Sequence, residues 1–268
     1  MITSTSNPRM KELKQLQKKA GLRQEKGVFL AEGLRMVQET PKERILAVYA
    51  AERFVREQAD WLARWEVSYD TVEDRVFDSV SDTKTPQGIL CVVKRREWSL
   101  KELLGASNCS SQEKGRKAPF YLVVENLQDP GNLGTIFRTG EAAGVSGIIM
   151  SRDTVDIYNP KTVRSTMGSI YRVPFLYADS LEEAVGQLKA EGICVYAAHL
   201  KGKKFYHEVS YEAGTAFLIG NEGKGLSEEA AALADDYLKI PMEGKVESLN
   251  AAVASSVLMY EVHRQRSL

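Results

Sequence analysis

The sequence predicts an α/β protein made of two units in series. Its 268 residues exceed the length of one typical domain. Short apolar runs of strand length alternate with helical stretches along most of the chain. Because these runs lack polar alternation, they are typical of strands buried on both faces of a parallel sheet. We therefore expect parallel sheets that are covered by helices on both faces.

Four strands are predicted in the first unit and six in the second. The strands of the first unit are expected at VFLAE, ILAVYA, WEVSY and GILCVV, with a helical segment at ERFVREQADWLARW. Those of the second unit are expected at FYLVVEN, GIIM, VPFLY, ICVYAA, TAFLIG and YLKIPM. Between the two sets lies a polar stretch with a Gly-Ser-Asn-Ser middle, typical of a linker. The predicted domains are residues 1–95 and 119–268, joined by a linker at residues 96–118.

Composition limits the classes of function. With 43% hydrophobic and 27% charged residues, the chain is an ordinary globular protein. No apolar run approaches the roughly 18 to 20 residues that span a bilayer, and the N-terminus lacks the apolar stretch of a secretion signal. We expect a cytoplasmic protein without membrane contact. The three cysteines and three histidines show no ligand spacing, so no metal site is expected.

The net charge of zero conceals a basic N-terminal segment. Residues 8–26 carry seven Lys or Arg against two Glu, a local net charge of +5. One interpretation is the solvated face of an amphipathic helix. The other is a surface that contacts the phosphates of a nucleic acid, because clustered cations gain free energy by releasing counterions. Residues 94–117 form a second basic stretch, which favours the nucleic-acid interpretation.

The usual nucleotide-binding fingerprints are missing. The segment GNEGKGLSEE has no Ser or Thr after its lysine, so it is not a phosphate-binding P-loop. No G-x-G-x-x-G lies between a predicted strand and a helix. A P-loop hydrolase and an ordinary dinucleotide-binding fold are therefore both disfavoured.

Three segments instead follow predicted strands, at the edge where parallel sheets bind ligands. In the first, residues 125–144, Asn132 is a favourable N-cap and Arg138 lies off the apolar stripe of the helix that follows. In the second, residues 217–229, glycines surround Glu222, whose carboxylate is the one negative charge in the loop before the helix that is expected to begin near Ser227. The third contains Ser248 and Asn250 and continues into a C-terminal helix rich in alanine and serine. Small residues there indicate a helix in a crowded space.

Together these segments, NLQDPGNLGTIFRTGEAAG, LIGNEGKGLS and IPMEGKVESLNAAVAS, resemble the three ordered motifs of the SpoU (TrmH-like) RNA ribose 2′-O-methyltransferases of the SPOUT superfamily. The likeness extends to DIYNPKTVRSTMGSIYRVPF and VSDTKTPQGILCVVK and so covers nearly the whole chain. It implies a parallel-sheet catalytic domain with a C-terminal trefoil knot, bound S-adenosylmethionine and a homodimer. It also implies that the smaller N-terminal α/β domain binds RNA and resembles a large-subunit ribosomal protein.

The resemblance also implies roles for individual residues. The implied catalytic residues are Asn132, Arg138, Glu222, Ser248 and Asn250. The implied cofactor-binding residues are Ala197, Gly220, Asn221, Glu222, Gly223, Ile240, Met242, Ser248 and Leu249. RNA contacts are expected at Lys11, Lys14, Lys18, Arg23, Lys161, Arg164 and Arg172, with Arg35 and Lys84 as further candidates.

The function implied is methyl transfer from S-adenosylmethionine to a ribose 2′-hydroxyl of RNA, with large-subunit ribosomal RNA favoured by the first domain. Transfer RNA is an alternative substrate. Two further alternatives are a paralogue that binds RNA without catalysis and a knotted methyltransferase that acts on a base nitrogen. The target nucleotide and the biological role, whether housekeeping modification or antibiotic resistance, stay open at this stage.

Overall fold

A computed structural model describes residues 1–108 and 118–267. The chain divides into two compact units. Unit 1 consists of Met1–Arg96 with Asp156–Tyr171, and unit 2 of Glu97–Val155 with Arg172–Leu268. The segment Asp156–Tyr171 lies in the second half of the sequence but folds within unit 1. The two units are therefore not simply in series.

The described residues form twelve α-helices and eleven strands. The helices are α1 (Pro8–Lys18), α2 (Ala20–Lys26), α3 (Leu34–Gln38), α4 (Glu52–Glu57), α5 (Ala59–Trp65), α6 (Asp74–Val80), α7 (Leu100–Asn108), α8 (Pro130–Ala143), α9 (Pro160–Ser165), α10 (Leu181–Ala190), α11 (Glu228–Ala232) and α12 (Ala251–Ser267). The strands are β1 (Val28–Glu32), β2 (Ile45–Ala51), β3 (Asp70–Val72), β4 (Ile89–Lys94), β5 (Phe120–Val124), β6 (Gly147–Ser151), β7 (Phe175–Ala178), β8 (Cys194–Ala198), β9 (Lys204–Phe205), β10 (Thr215–Ile219) and β11 (Asp236–Lys239).

The sheet of unit 1 has the order β1-β4-β2-β3 and is mixed. Strand β4 runs antiparallel to both β1 and β2, and only β2 and β3 are parallel. The expectation of a parallel sheet here is wrong, because an apolar run reports burial of both strand faces and not the direction of the neighbouring strand. The strand predicted at WEVSY is also wrong, since Trp65 ends α5, Glu66 turns with φ 57°, and β3 begins at Asp70.

The segment Asp156–Tyr171 is built into the core of unit 1. The ring of Tyr158 lies 4.8 Å from that of Phe29 on β1, and the hydroxyl of Thr40 donates to Tyr171 Oη at 2.8 Å. Arg23, at 3% exposure, donates to Asp156 Oδ2 at 2.6 Å. Aromatic packing and a largely buried ion pair thus hold this segment against β1 and α2.

The sheet of unit 2 has the order β7-β6-β5-β10-β8-β11-β9, and all of its pairings are parallel. The parallel arrangement predicted for the second unit is confirmed. The two-residue strand β9 was not predicted, because it is too short to show an apolar pattern. Five consecutive buried residues in β5 and in β10 place these strands at the centre of the sheet.

Part of the predicted linker is helical. Helix α7 begins at Leu100, and its Leu103 is fully buried in the core of unit 2. Its start is fixed by Glu102, which accepts from both the backbone N–H and the hydroxyl of Ser99. Residues 109–117 of the predicted linker lie outside the described residues.

Helices α8 and α12 pack against each other in unit 2. The N-cap of α8 is Asp129, whose carboxylate accepts the N–H of Asn132 at 2.8 Å. The prediction that Asn132 caps the helix is wrong, because Pro130 takes the first helical position, where it loses no hydrogen bond. Asn132 therefore lies inside the first turn. On α12, the small side chains of Ala252 and Ser255 are buried, which allows the close packing that the sequence indicated.

No helix among the described residues combines the length and the hydropathy needed to cross a bilayer.

We predict that Arg23→Ala destabilises the protein by about 3 kcal/mol, because it leaves Asp156 unpaired and removes donors from the carbonyls of Leu16 and Gln17. Arg9→Ala is the matched control, since it removes an Arg–Asp ion pair whose partners are both exposed, worth less than about 1 kcal/mol. Urea unfolding of both variants measures the difference. Equal losses would contradict the structural role of Arg23.

Candidate active site

One pocket of about 320 Å³ lies at the carboxyl ends of the adjacent parallel strands β10, β8 and β11. The loops that follow these strands form most of its wall, and residues 247–249 before α12 complete it. This is the edge at which open parallel sheets bind ligands. Its volume lies in the range of small-molecule sites.

The loop after β10 begins at Gly220, which is held against the opposite arm of the same loop. A Cβ at this position would lie 2.2 Å from the carbonyl carbon of Gly225 and 2.2 Å from the nitrogen of Leu226. Two hydrogen bonds between Asn221 and Gly225 backbones, at 3.0 and 2.9 Å, close the loop. Only glycine fits at residue 220, because it has no side chain, and the close approach of the two arms shapes one wall of the pocket.

Glu222 projects from this loop onto the start of α8. Its Oε1 accepts from the backbone N–H of Asp129 at 2.8 Å and from Asn132 Nδ2 at 3.0 Å, and its Oε2 accepts from Gln128 N–H at 3.0 Å. One carboxylate thus satisfies backbone donors before the first turn of the helix, where a negative charge is also favoured by the helix dipole. The loops after β5 and β10 are joined at this point.

Burial by itself raises the pKa of Glu222, but hydrogen bonds from Asn132, Asp129 and Gln128 outweigh it. The net result is a pKa below the ordinary glutamate value. Glu222 is therefore ionised throughout the neutral range and acts as a fixed acceptor.

Asn132 and Asn250 continue the chain of hydrogen bonds. Asn250 Nδ2 donates to Asn132 Oδ1 at 3.0 Å, while its own Oδ1 accepts the N–H groups of Ala252 and Val253 at the start of α12. A carboxylate can only accept and a backbone N–H can only donate, so both amide orientations follow from the ends of the chain. The motifs therefore meet as a single directed network.

Sequence reasoning missed a second link between the same loops. Glu125, directly after β5, accepts from the N–H of Ser227 at 2.8 Å and from its hydroxyl at 2.7 Å. Asn221 Nδ2 donates to the carbonyl oxygen of Asn126 at 2.8 Å. The available signal was an acidic residue followed by a polar one, Glu125 and Asn126, directly after the apolar run of β5.

Most of the expected cofactor-binding residues line the pocket. These are Gly220, Asn221, Glu222, Gly223, Ile240, Met242, Ser248 and Leu249. Ala197 does not reach it, because its side chain is fully buried in β8, and Ala198, His199 and Leu200 lie at the wall instead. The sequence did not predict this shift, since both Ala197 and Ala198 end the apolar run of the strand.

Arg138 stands apart from the network. It is exposed on α8, six residues beyond Asn132 and therefore on a different side of the helix. Within the described part of the chain it makes no ion pair. Asn132, Glu222 and Asn250 are brought together, whereas the guanidinium is left facing solvent.

The basic residues expected to contact RNA differ in their exposure and in whether they already have an acidic partner. Lys11, Lys18 and Lys161 are exposed in unit 1, and Lys14 is half-buried there. Arg23 is corrected: it is buried and its guanidinium serves the ion pair with Asp156, so it does not face a ligand.

The two remaining arginines already have acidic partners. Arg164 donates to Asp82 at 2.9 Å in unit 1, and Arg172 pairs with Glu141 in unit 2.

Comparison with known proteins identifies the families that this chain resembles. The model of the SpoU rRNA Methylase family matches residues 119–260, and that of the MRM3-like substrate binding domain matches residues 7–91. The 23S rRNA (guanosine(2553)-2′-O)-methyltransferase RlmP of Bacillus subtilis is 33% identical, over 97% of this chain and 98% of that protein.

Two solved structures are similar over nearly their full length. The AdoMet-bound rRNA methyltransferase of Sinorhizobium meliloti is 30% identical, with a TM-score of 0.82, and the match covers 98% of this chain and 97% of that one. The SpoU methyltransferase AviRb of Streptomyces viridochromogenes is 26% identical, with a TM-score of 0.83, and covers 97% of this chain and 98% of that one.

The chain belongs to the SpoU rRNA methylase family. The predicted family is confirmed, and with it the prediction of a methyltransferase enzyme. The predicted cofactor, S-adenosylmethionine, is bound in the S. meliloti structure and in a second structure of AviRb.

The pocket of this SpoU-family chain fits that cofactor. Ile219, Leu226, Leu238 and Ile240 give the wall apolar side chains suited to an adenine ring, and the glycines around Glu222 leave backbone groups accessible. The backbone around Gly220 is packed so closely that this residue of the pocket wall has no room for a Cβ. No cluster of side chains that could hold a metal ion occurs in the residues that the structure describes.

We predict that Gly220→Ala abolishes S-adenosylmethionine binding and lowers stability by about 1 to 3 kcal/mol, because the new Cβ overlaps backbone atoms that cannot give way. Gly223→Ala is the matched control in the same loop, since its Cβ would meet only Asn221 Oδ1 at 3.6 Å. Calorimetric titration with the cofactor and thermal unfolding measure both effects. Cofactor binding by Gly220→Ala at the control's affinity would refute this account of the loop.

We predict that Glu222→Gln lowers stability at neutral pH and that the deficit disappears in acid. The folded pKa of Glu222 is depressed, so its contribution is fully present above the ordinary glutamate pKa of about 4.3 and is lost as the pH falls through the lower folded value. Thermal unfolding of both proteins from pH 7 to pH 3 measures this. A deficit that does not change with pH would contradict it.

Proposed function

We propose that the protein transfers a methyl group from S-adenosylmethionine to a ribose 2′-hydroxyl of large-subunit ribosomal RNA. The observation that supports this best is the directed network from Asn250 through Asn132 to Glu222 beside the pocket. The similarity to the B. subtilis 23S rRNA enzyme over nearly the full length of both chains supports the choice of RNA. Residues 1–95 then act as the RNA-binding domain and residues 119–268 as the methyltransferase domain, in the cytoplasm.

When bound, S-adenosylmethionine supplies a methyl group that is already activated by a sulfonium. The work left to the protein is alignment, and oriented reactants gain about 7 to 11 kcal/mol. Asn132 is suited to seat the ribose, because its amide is fixed by Glu222 and Asn250 and still has one N–H and one lone pair to offer. Ser248, which precedes Asn250 by two residues, lies in the pocket wall.

Arg138 is assigned to the phosphate next to the target ribose. Its exposed guanidinium offers a planar pair of donors that matches a phosphate. It is not assigned as the proton acceptor, because a guanidinium has only N–H donors and no lone pair to accept with. The ribose proton leaves to water, either directly or through the Ser248 hydroxyl, which gives up its own proton as it accepts the new one.

The active form is proposed to be a homodimer with a C-terminal trefoil knot. Val253 and Tyr260, seven residues apart on α12, are 49% and 50% exposed, and this spacing puts both on one side of the helix. A second subunit covering them would remove an apolar stripe from water.

The experiment is single-turnover methylation of an unmodified 23S rRNA transcript, followed by alkaline hydrolysis, which a 2′-O-methyl group blocks at one bond. The wild type is expected to protect one position. Arg138→Lys is expected to react about 10 to 100 times more slowly, since a charge-assisted pair of hydrogen bonds is worth about 1.5 to 3 kcal/mol. Its cofactor affinity should be unchanged.

Arg152→Lys is the matched control, because Arg152 is an exposed arginine of unit 2 that pairs with Asp179. Transfer of the methyl group to a base nitrogen, or no transfer at all, would overturn the proposed reaction. Wild-type rates in Arg138→Lys would overturn only the role given to the guanidinium.

A further inference from the structure

The loop at residues 81–87 of unit 1, here named the anchored loop, joins α6 to β4 and has the sequence SDTKTPQ. Short polar loops that carry a lysine are common on protein surfaces. This one differs in how many elements of unit 1 hold it.

The strongest anchor is Glu32, the last residue of β1, which is only 6% exposed. Its carboxylate accepts from the hydroxyls of Ser81 and Thr83, the latter at 3.0 Å, and from the N–H of Asp82 at 3.2 Å. A carboxylate at this depth is stable only when its oxygens are satisfied. Every donor it uses comes from the anchored loop, so Glu32 holds the first half of that loop from beneath.

The second half of the loop is held as firmly. Gln87 Oε1 accepts the N–H of Leu34 at the start of α3, at 2.8 Å. Gly33 has φ 95°, and a Cβ there would lie 2.9 Å from Gln87 Oε1. The carbonyl of Pro86 accepts from Arg53 of α4 at 3.3 Å. A backbone that is fixed at both ends has lost its conformational freedom before any ligand arrives.

A further anchor comes from the segment Asp156–Tyr171. Arg164 of α9 donates to Asp82 Oδ2 at 2.9 Å and so neutralises the exposed carboxylate of the anchored loop. Two further carboxylates, Asp74 and Asp78, pair with Arg53, and Glu32 is buried.

The charge left on the surface of this loop is positive. Lys84 at the tip is exposed, as is Arg35, which follows the Leu34 that bonds to Gln87. Neither cation has an ion-pair partner among the residues that the structure describes. A rigid loop that offers an unpaired lysine suits a polyanion, because binding then costs little ordering and releases counterions.

We propose that the anchored loop is an RNA-contacting element of unit 1, with Lys84 on a phosphate and Glu32 as the positioning residue that fixes the loop. This rests on the proposed function, and the loop lies inside the stretch matched by the substrate-binding domain model. Glu32 touches no RNA. It acts by holding the backbone that presents Lys84.

The first test is Lys84→Ala, with an unmodified 23S rRNA transcript as the probe. Loss of one phosphate contact should weaken RNA binding severalfold and reduce the slope of log affinity against log salt by about one. The KM for RNA should rise while kcat at saturating RNA and the affinity for S-adenosylmethionine stay at wild-type values. Lys42→Ala, another exposed lysine of unit 1, is the matched control.

The second test combines Lys84→Ala with Glu32→Gln. Glutamine has the volume of glutamate, but its side-chain NH₂ group faces loop donors that need an acceptor. The loop is therefore held less firmly. If Glu32 acts through the loop, Glu32→Gln alone should reduce the salt slope, and adding Lys84→Ala should weaken RNA binding little further. A purely structural role would lower the unfolding temperature and leave the salt slope intact.

Should Glu32→Gln fail to fold, Ser81→Ala replaces it, because it removes one of the donors only. Wild-type KM and salt slope in Lys84→Ala would overturn the RNA contact, and fully additive effects would overturn the positioning role of Glu32. These results are separate from failure of the proposed function, in which the wild type itself would not methylate the transcript.

Discussion

The site depends on one constraint, the fixed direction of the hydrogen bonds that run from α12 to Glu222. Backbone N–H groups at the start of α12 fix Asn250, which fixes Asn132, which in turn donates to a carboxylate that can only accept. Three loops far apart in sequence are therefore held by one polar chain. Reversal of either amide would place like groups against each other at both of its contacts, so the network has a single low-energy arrangement.

The same constraint explains the composition of the surrounding helices. The Asn132–Asn250 bond requires α8 and α12 to approach closely, and small buried residues such as Ala252 and Ser255 permit that approach. Gly220 has the equivalent role in the loop after β10, where backbone meets backbone. The side chains that bond across the site are short. The hydrogen bonds therefore form only if the backbones pack closely, and small residues allow that packing.

The parts of this arrangement that a sequence reveals are those encoded locally. Apolar runs predicted six of the seven strands of unit 2, and polar residues after predicted strands drew attention to Asn132, Glu222 and Asn250. Strand direction in unit 1 and the burial of Arg23 were missed, since both depend on partners distant in the chain. Arg23 looks like any other cation of a basic helix until Asp156, 133 residues away, is placed beside it. Long-range pairing of this kind leaves no periodic signal.

Glu32 shows how the same limitation applies to function. In sequence it ends an apolar strand and precedes a glycine, which is consistent with an ordinary exposed turn. Only the fold shows that it is buried and that its acceptors serve one loop. A buried carboxylate has a desolvation cost that well-packed apolar residues would avoid, so its use here indicates a gain in specificity of loop conformation. Such a gain matters where a loop must present a cation to RNA in a fixed place, and it would bring little to a loop that only connects α6 to β4.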